Sequence, residues 1–230
     1  MPLFSLEAEF DRWFFDAVGD PTAIQRVAWP RLREGRNVLL VASTGQCKSL
    51  AAWRPLVEKM VDATGPSRGC IALHIAPLKA LCRDMTFNLA PLLAFAGDIR
   101  GRPMKIGLRC GDTPVSERRR QSRRPPDILS TTPESLFVLL GSAGGRRLLR
   151  NVKAIVVDEI HALVGSKRGA HLSLSLSRLD RLTTRPVQRV GLSATARPAE
   201  TLARFLGGNA HCEVLKPAAA ASVDSRIELP

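Results

Sequence analysis

The alternation of short, continuously apolar runs with amphipathic segments constrains this chain more than any other feature. Apolar runs lie at 37–42 (NVLLVA), 70–76 (CIALHIA), 104–110 (MKIGLRC), 127–131 (DILST), 152–159 (VKAIVVDE) and 187–194 (VQRVGLSA). Between them, helical spacing marks 48–61, 78–95, 133–140, 170–182 and 198–206. Strands apolar on both faces belong to parallel sheets covered by helices, and their alternation with helices builds βαβ units. The expected fold class is therefore α/β, a mostly parallel central sheet flanked by helices on both faces. Thr132 and Pro133 read as the N-cap and first residue of one helix, and Gly207-Gly208 as the stop of the last. Two more short helices are expected before the first strand, in AEFDRWFFDAV and TAIQRVAWPRL. Leu172, Leu174 and Leu176 alternate with serines as in a strand, but helical spacing puts Leu172, Leu176 and Leu179 on one core-facing stripe.

The first strand runs into Ala42-Ser43-Thr44-Gly45-Gln46-Cys47-Lys48-Ser49, two residues short of the phosphate-loop pattern G-x-x-x-x-G-K-[ST]. A strand, a loop and a helix opening on Lys-Ser suit an anion, because backbone N–H groups and the positive helix end converge there. Lys48 would neutralise β/γ-phosphate charge and the Ser49 hydroxyl would ligate Mg²⁺. Two residues depart from the pattern, Ala42 at the first position and Cys47 immediately before the lysine. A Cβ at Cys47 crowds the approach of phosphate, and a positive φ there would add about 1–2 kcal/mol of strain. Far downstream, the run 154–157 ends in Asp158-Glu159, two carboxylates at the C-terminal end of a buried strand, where α/β sheets hold ligands. Asp158 is suited to hold Mg²⁺ and Glu159 to orient and deprotonate an attacking water.

A net charge of +13 and a pI of about 10.7 favour a polyanionic partner, nucleic acid first. With no Tyr and 5% aromatic residues, a base-stacking platform is a poor candidate. Five scattered cysteines without a C-x-x-C pair argue against a disulfide framework and a zinc site. No apolar run has the length of a membrane span, which needs about 20 residues, and MPLFSLEAEFDRWFF carries acids where a signal peptide carries bases, so no membrane partner and a cytoplasmic location are expected. The arginine-rich stretch 117–126 and the low-complexity stretch 216–226 read as loop and linker.

Beyond these residue-level readings, Asp158-Glu159-Ile160-His161 resembles motif II of the superfamily 2 DExH helicases. Other segments resemble that family's motifs in order: Gln25 in PTAIQRVAWP the Q-motif, APLKAL motif Ia, TTPESL motif Ib and SAT motif III. More narrowly, RCGDTPVSER, VDEIHALVGSKRGAHLSLSLSRL, GLSATARP and LARFLGG resemble the large helicase-related (Lhr) family, which includes ligase-associated DExH helicases. The resemblance implies a first RecA-like P-loop lobe that uses ATP and Mg²⁺. It implies that Gln25 and Thr22 contact adenine, and that Ser43, Thr44, Gly45, Gln46, Cys47, Lys48 and Ser49 cradle phosphates. His161, Ser193 and Thr195 would couple hydrolysis to movement. Pro77, Lys79, Arg109, Gly111, Asp112, Thr132, Pro133 and Glu134 would follow one nucleic-acid strand, with Lys167 and Arg168 of the GSKRG loop as added phosphate contacts.

The organisation implied is N-terminal helices over 1–36, an ATP-binding lobe over 37–210 and a linker over 211–230 toward a second RecA-like lobe that supplies an arginine finger. The partner would be single-stranded DNA or a duplex with a tail, with DNA repair as the setting. Alone, such a lobe is expected to bind nucleotide weakly and hydrolyse it poorly. The alternative is a non-hydrolysing nucleic-acid-binding scaffold built on a decayed lobe.

Overall fold

A computed structural model describes residues 5–43, 45–62, 69–195 and 198–217. Among these, the chain opens with α1 (Leu6–Val18) and α2 (Ala23–Arg33), the two helices expected there. Ser5 caps α1 by accepting from the Ala8 N–H, and Thr22 with Gln25 forms a capping box on α2. Then follow β1 (Asn37–Val41), α3 (Lys48–Asp62), β2 (Ala72–Ile75), α4 (Lys79–Asn88), α5 (Ala90–Arg100), β3 (Ile106–Arg109) and α6 (Val115–Arg123). The chain continues through β4 (Ile128–Thr131), α7 (Pro133–Gly141), α8 (Ala143–Leu149), β5 (Ala154–Val157), a 3₁₀ turn (Ile160–Ala162), α9 (Lys167–Leu182), β6 (Gln188–Ser193), α10 (Ala199–Gly207) and β7 (Cys212–Leu215).

The seven strands form one sheet in the order β3-β4-β2-β5-β6-β1-β7, and every pair is parallel. Because side chains alternate along a strand, each central strand feeds two cores. Val38, Leu40 and Val156 face the helices α1 to α5, while Leu39, Ile155 and Val157 face α7 to α10. Leu172, Leu176 and Leu179 of α9 are fully buried in the second core, as the helical spacing predicts, and each such side chain contributes roughly 1.5–3 kcal/mol. On the first face Arg54 of α3 is fully buried, its guanidinium 4.3 Å from the centre of the Trp29 ring, and it ties α3 to Asp11 of α1.

Four sequence expectations need correction. The arginine-rich stretch 117–126 is mostly helix, within α6, whose packing side is so small that Gln121 is its one buried residue. The expected helix 78–95 is two helices, divided at Leu89. Lys167 and Arg168 are not in a loop: Ser166 caps α9 by accepting from the Gly169 N–H, so both cations sit in its first turn. A Cβ at Gly169 would lie 2.1 Å from the Leu163 carbonyl oxygen, so only glycine permits this tight entry. Finally, the linker assigned to 211–230 begins as structure, since β7 pairs with β1 from Asn37↔Cys212 to Leu40↔Leu215. Residues 218–230 lie outside those described.

Candidate nucleotide and nucleic-acid site

Strand register brings the site together. Arg109 pairs with Thr131, Thr131 with Ile75 and Ile75 with Val157, while Val41 pairs with Ser193. The segments after β1, β2, β3, β4, β5 and β6 therefore emerge along one edge of the sheet. This is the carboxyl edge at which parallel α/β sheets bind ligands.

The loop after β1 extends the sheet by one bond, Ala42 N–H to Ser193 carbonyl at 3.1 Å, before it turns. Gly45 takes φ +88° and Cys47 takes φ +48°. The Cys47 carbonyl starts α3 by accepting from Ala51 N–H at 3.1 Å, and it also accepts from Gln25 Nε2 at 3.3 Å. Thr22 Oγ1 reaches the Gln46 carbonyl at 3.5 Å, so the start of α2 braces the loop from behind. Lys48 Nζ lies across the loop, donating to the Ala42 and Ser43 carbonyls at 2.7 and 2.8 Å. Burial pushes the Lys48 ammonium below the usual lysine range, and the nearby Glu159 and Asp158 carboxylates push back. Thr44 lies outside the described residues.

Opposite the loop, Asp158 is anchored by its N–H to the Ile75 carbonyl at 2.8 Å, and its Oδ1 accepts from Glu159 N–H at 2.9 Å. Glu159 has φ +45°, making it and Cys47 the non-glycine residues with positive φ among those described. Strained backbone of this kind gathers at functional sites. Glu159 Oε2 lies 3.3 Å from His161 Nδ1, which in turn lies 3.0 Å from Ser193 Oγ. The Ser193 hydroxyl donates to the Thr195 carbonyl, so β6 is wired to the acidic turn. Among the described residues no cluster of three or more His, Cys, Asp or Glu could hold a metal by itself. One carboxylate, Asp158, with the Ser49 hydroxyl on the facing helix start, suits Mg²⁺, which completes its shell with water and substrate phosphates.

The other half of the edge carries the residues assigned to nucleic acid. Lys79 and Asp112 are 3.1 Å apart, both exposed, joining the starts of two segments after β2 and β3. Arg168 pairs with Glu134 at 2.6 Å and donates to the Pro77 carbonyl at 2.7 Å, so this cation is committed to the protein itself. Thr132 and Pro133 open α7 as expected. Arg109 is held by α6, through the Arg118 carbonyl at 3.4 Å and Gln121 Oε1 at 3.3 Å, and Gly111 accepts from Arg118 at 2.7 Å. Lys167 is exposed.

A seven-stranded parallel sheet flanked by helices, with a loop close to the phosphate-loop pattern at one strand end and an Asp-Glu pair at another, defines a RecA-like lobe. The chain belongs to the DEAD/DEAH box helicase family, whose model matches residues 22–203. It is 42% identical over 231 residues to the Lhr helicase/uracil glycosylase of Escherichia coli, and covers 95% of this chain but 15% of that protein. It is likewise 42% identical over 204 residues to the ATP-dependent helicase Lhr-Core of Methanothermobacter thermautotrophicus, covering 85% of this chain and 24% of the relative. The chain therefore spans under a third of the length of these relatives. Among solved structures, Mycobacterium smegmatis helicase Lhr bound to ssDNA and AMP-PNP superposes with a TM-score of 0.86 at 44% identity, over 97% of this chain and 29% of that one. The DEAD-box helicase Mss116 shares the fold, at a TM-score of 0.81 and 17% identity.

Proposed function

We propose that this chain is the ATP-binding lobe of an Lhr-type ATP-dependent DNA helicase, which couples ATP hydrolysis to movement on single-stranded DNA in repair. The observation that carries this reading is the convergence of Lys48, Asp158, Glu159 and the His161–Ser193 pair on the sheet edge that also carries Lys79, Asp112, Thr132 and Glu134. ATP phosphates would enter over the loop 43–49, drawing Lys48 Nζ from the Ala42 and Ser43 carbonyls to the β/γ oxygens. Bound Mg²⁺, held by Ser49 and Asp158, would neutralise charge on those oxygens. Glu159 would accept the proton of the attacking water, and its contact with His161 passes the state of the turn to Ser193 and Thr195. The positive-φ cysteine favours a second reading, a non-hydrolysing scaffold that keeps nucleic-acid binding and has lost a competent phosphate loop.

Two measurements test this. The 230-residue chain should bind a fluorescent ATP analogue and labelled single-stranded DNA, with Lys48→Ala removing the first and sparing the second. In a longer chain that adds a second lobe, Glu159→Gln should abolish DNA-stimulated ATP hydrolysis; wild-type turnover in that variant would remove Glu159 from the mechanism. A wild-type chain that binds DNA but no nucleotide would select the scaffold.

A further inference from the structure

The apolar strand β2 carries one polar side chain, His74, which is fully buried. Its register partners are Ser130 on β4 and Val156 on β5, two residues before Asp158. Nδ1 of His74 lies 2.8 Å from Ser130 Oγ, and Ser130 Oγ lies 2.9 Å from the Cys82 carbonyl in α4. The other ring nitrogen, Nε2, is buried without a hydrogen-bond partner, and Asp158 Oδ2 stands 3.6 Å from it. That distance is beyond hydrogen-bond length but within reach of a small rotation of the carboxylate.

The hydroxyl of Ser130 has one proton and two acceptors within range. Given to the Cys82 carbonyl, it obliges Nδ1 to carry the ring hydrogen, and a neutral ring then presents only a lone pair to Asp158. Given to His74, it lets Nδ1 accept and moves the ring hydrogen to Nε2, which can donate to Asp158 Oδ2. Asp158 Oδ1 is already fixed by the Glu159 N–H, so a bond from His74 would fix the second oxygen and with it the plane of the carboxylate.

We propose that His74 is a positioning residue for Asp158, donating from Nε2 to Oδ2 when the site is loaded, with the Ser130 hydroxyl selecting the ring tautomer. The same hydroxyl touches α4, which begins at Lys79 on the nucleic-acid edge, so the relay Cys82–Ser130–His74–Asp158 joins the two halves of the site. The proposal rests on the reading of Asp158 as the metal-holding carboxylate. Groups behind a metal ligand commonly change metal affinity by roughly 10–100-fold when removed, and hydrogen bonds at such sites tighten on loading.

The test titrates a fluorescent ATP analogue into the 230-residue chain with and without Mn²⁺, with the electron paramagnetic resonance signal of bound Mn²⁺ as a second readout. His74→Asn, which retains a polar group only near the Nδ1 position, should reduce the Mn²⁺-dependent gain in nucleotide affinity by roughly tenfold and leave metal-free affinity unchanged. His74→Gln, whose amide reaches the Nε2 position, should keep most of the gain. Ser130→Ala should lose part of it, and decides the question alone if the His74 variants do not fold. A full Mn²⁺-dependent gain in both His74→Asn and Ser130→Ala overturns the proposal while leaving the nucleotide site intact, and equal losses in the Gln and Asn variants assign His74 to packing. A wild-type chain without any Mn²⁺-dependent gain overturns the reading of Asp158 and the role of His74 together.

Discussion

The side-chain amide of Gln25 joins two structures at once: its nitrogen donates to the Cys47 carbonyl at 3.3 Å, and its oxygen accepts from the Thr22 N–H at 2.8 Å. One buried side chain thus caps α2 and holds the turn that leads into α3. Gln25→Ala should cost about 1–2 kcal/mol of unfolding free energy, read from urea denaturation, because it removes the cap on α2 and the hydrogen bond from Gln25 to the Cys47 carbonyl. Nucleotide affinity should fall in the same variant. An unchanged urea midpoint would show that the loop keeps its shape without the brace.

Cys47 holds φ +48° immediately before Lys48. A residue with a Cβ in that region carries about 1–2 kcal/mol of strain, and glycine carries none. Cys47→Gly should therefore tighten nucleotide binding up to about tenfold by calorimetry, a factor equivalent to about 1.4 kcal/mol. Equal dissociation constants would mean that the cysteine fits its position without penalty.

All five cysteines are free, and Cys47 is the exposed one, while burial pushes the Cys70 and Cys212 thiols up to about 12, and a hydrogen bond with Cys110, together with burial, raises Cys82. The thiolate is the reacting form, so a limiting dose of iodoacetamide near neutral pH should label Cys47 first. ATP with Mg²⁺ should slow that labelling, since the thiol lies in the loop assigned to the phosphates. Peptide mapping by mass spectrometry reads both outcomes, and labelling at the same rate with nucleotide would place the phosphates elsewhere.

Lys79 and Asp112, 3.1 Å apart on the exposed edge, should act on DNA with opposite signs. Lys79→Ala removes a cation and should weaken single-stranded DNA binding and reduce the slope of log affinity against log salt by about one. Asp112→Asn frees Lys79 from its partner and should strengthen binding at low salt. Fluorescence anisotropy across a salt series measures both, and matching slopes for Lys79→Ala and wild type would remove Lys79 from the interface.

The Arg168 guanidinium beside Glu134 holds that carboxyl below the usual glutamate range, with burial opposing it. A depressed folded-state value makes the pair stabilising above the unfolded value of about 4.3, and the contribution fades as pH falls through the lower folded value. The effect is small because both side chains are about half exposed, 42% and 53%. Wild type should exceed Glu134→Gln in urea stability at pH 7 and converge with it toward pH 3; a gap that persists in acid would trace to something other than the ion pair.

Five of the six expected strands, β1, β2, β4, β5 and β6, were legible because a strand buried on both faces writes itself as an unbroken apolar run, whereas β3 lies at the sheet edge and is only half-buried along its length. The Asp158-Glu159 pair and the loop 42–49 stood out for a different reason: the chemistry proposed for them demands particular residue types at fixed spacing. Elements without either mark were missed. In α6, arginines cover all but a narrow stripe around Gln121, so no apolar period shows. In α8 the glycine pair suggests a turn, yet a Cβ at Gly145 would fall 2.0 Å from the Leu139 carbonyl oxygen, so glycine there records close helix packing. Strand β7 is an edge strand of mixed polarity, and its place beside β1 depends on residues far away in the chain. His74 gave no signal, since a single histidine in an apolar run looks the same with or without Asp158 beside it.

The sequence by itself determined the alternation of strands and helices, the parallel sheet that follows from doubly buried strands, and the residue types able to meet phosphate, metal and water. These are local properties, set by side-chain periodicity and by chemistry carried within a few consecutive residues. Only the tertiary structure decided that Arg168 is spent on Glu134 and Pro77, that Gln25 supports Cys47, and that Ser130 and His74 stand between α4 and Asp158. Those contacts join residues distant along the chain, and they follow from strand order and register, which close packing of the whole sheet and its two helical layers selects.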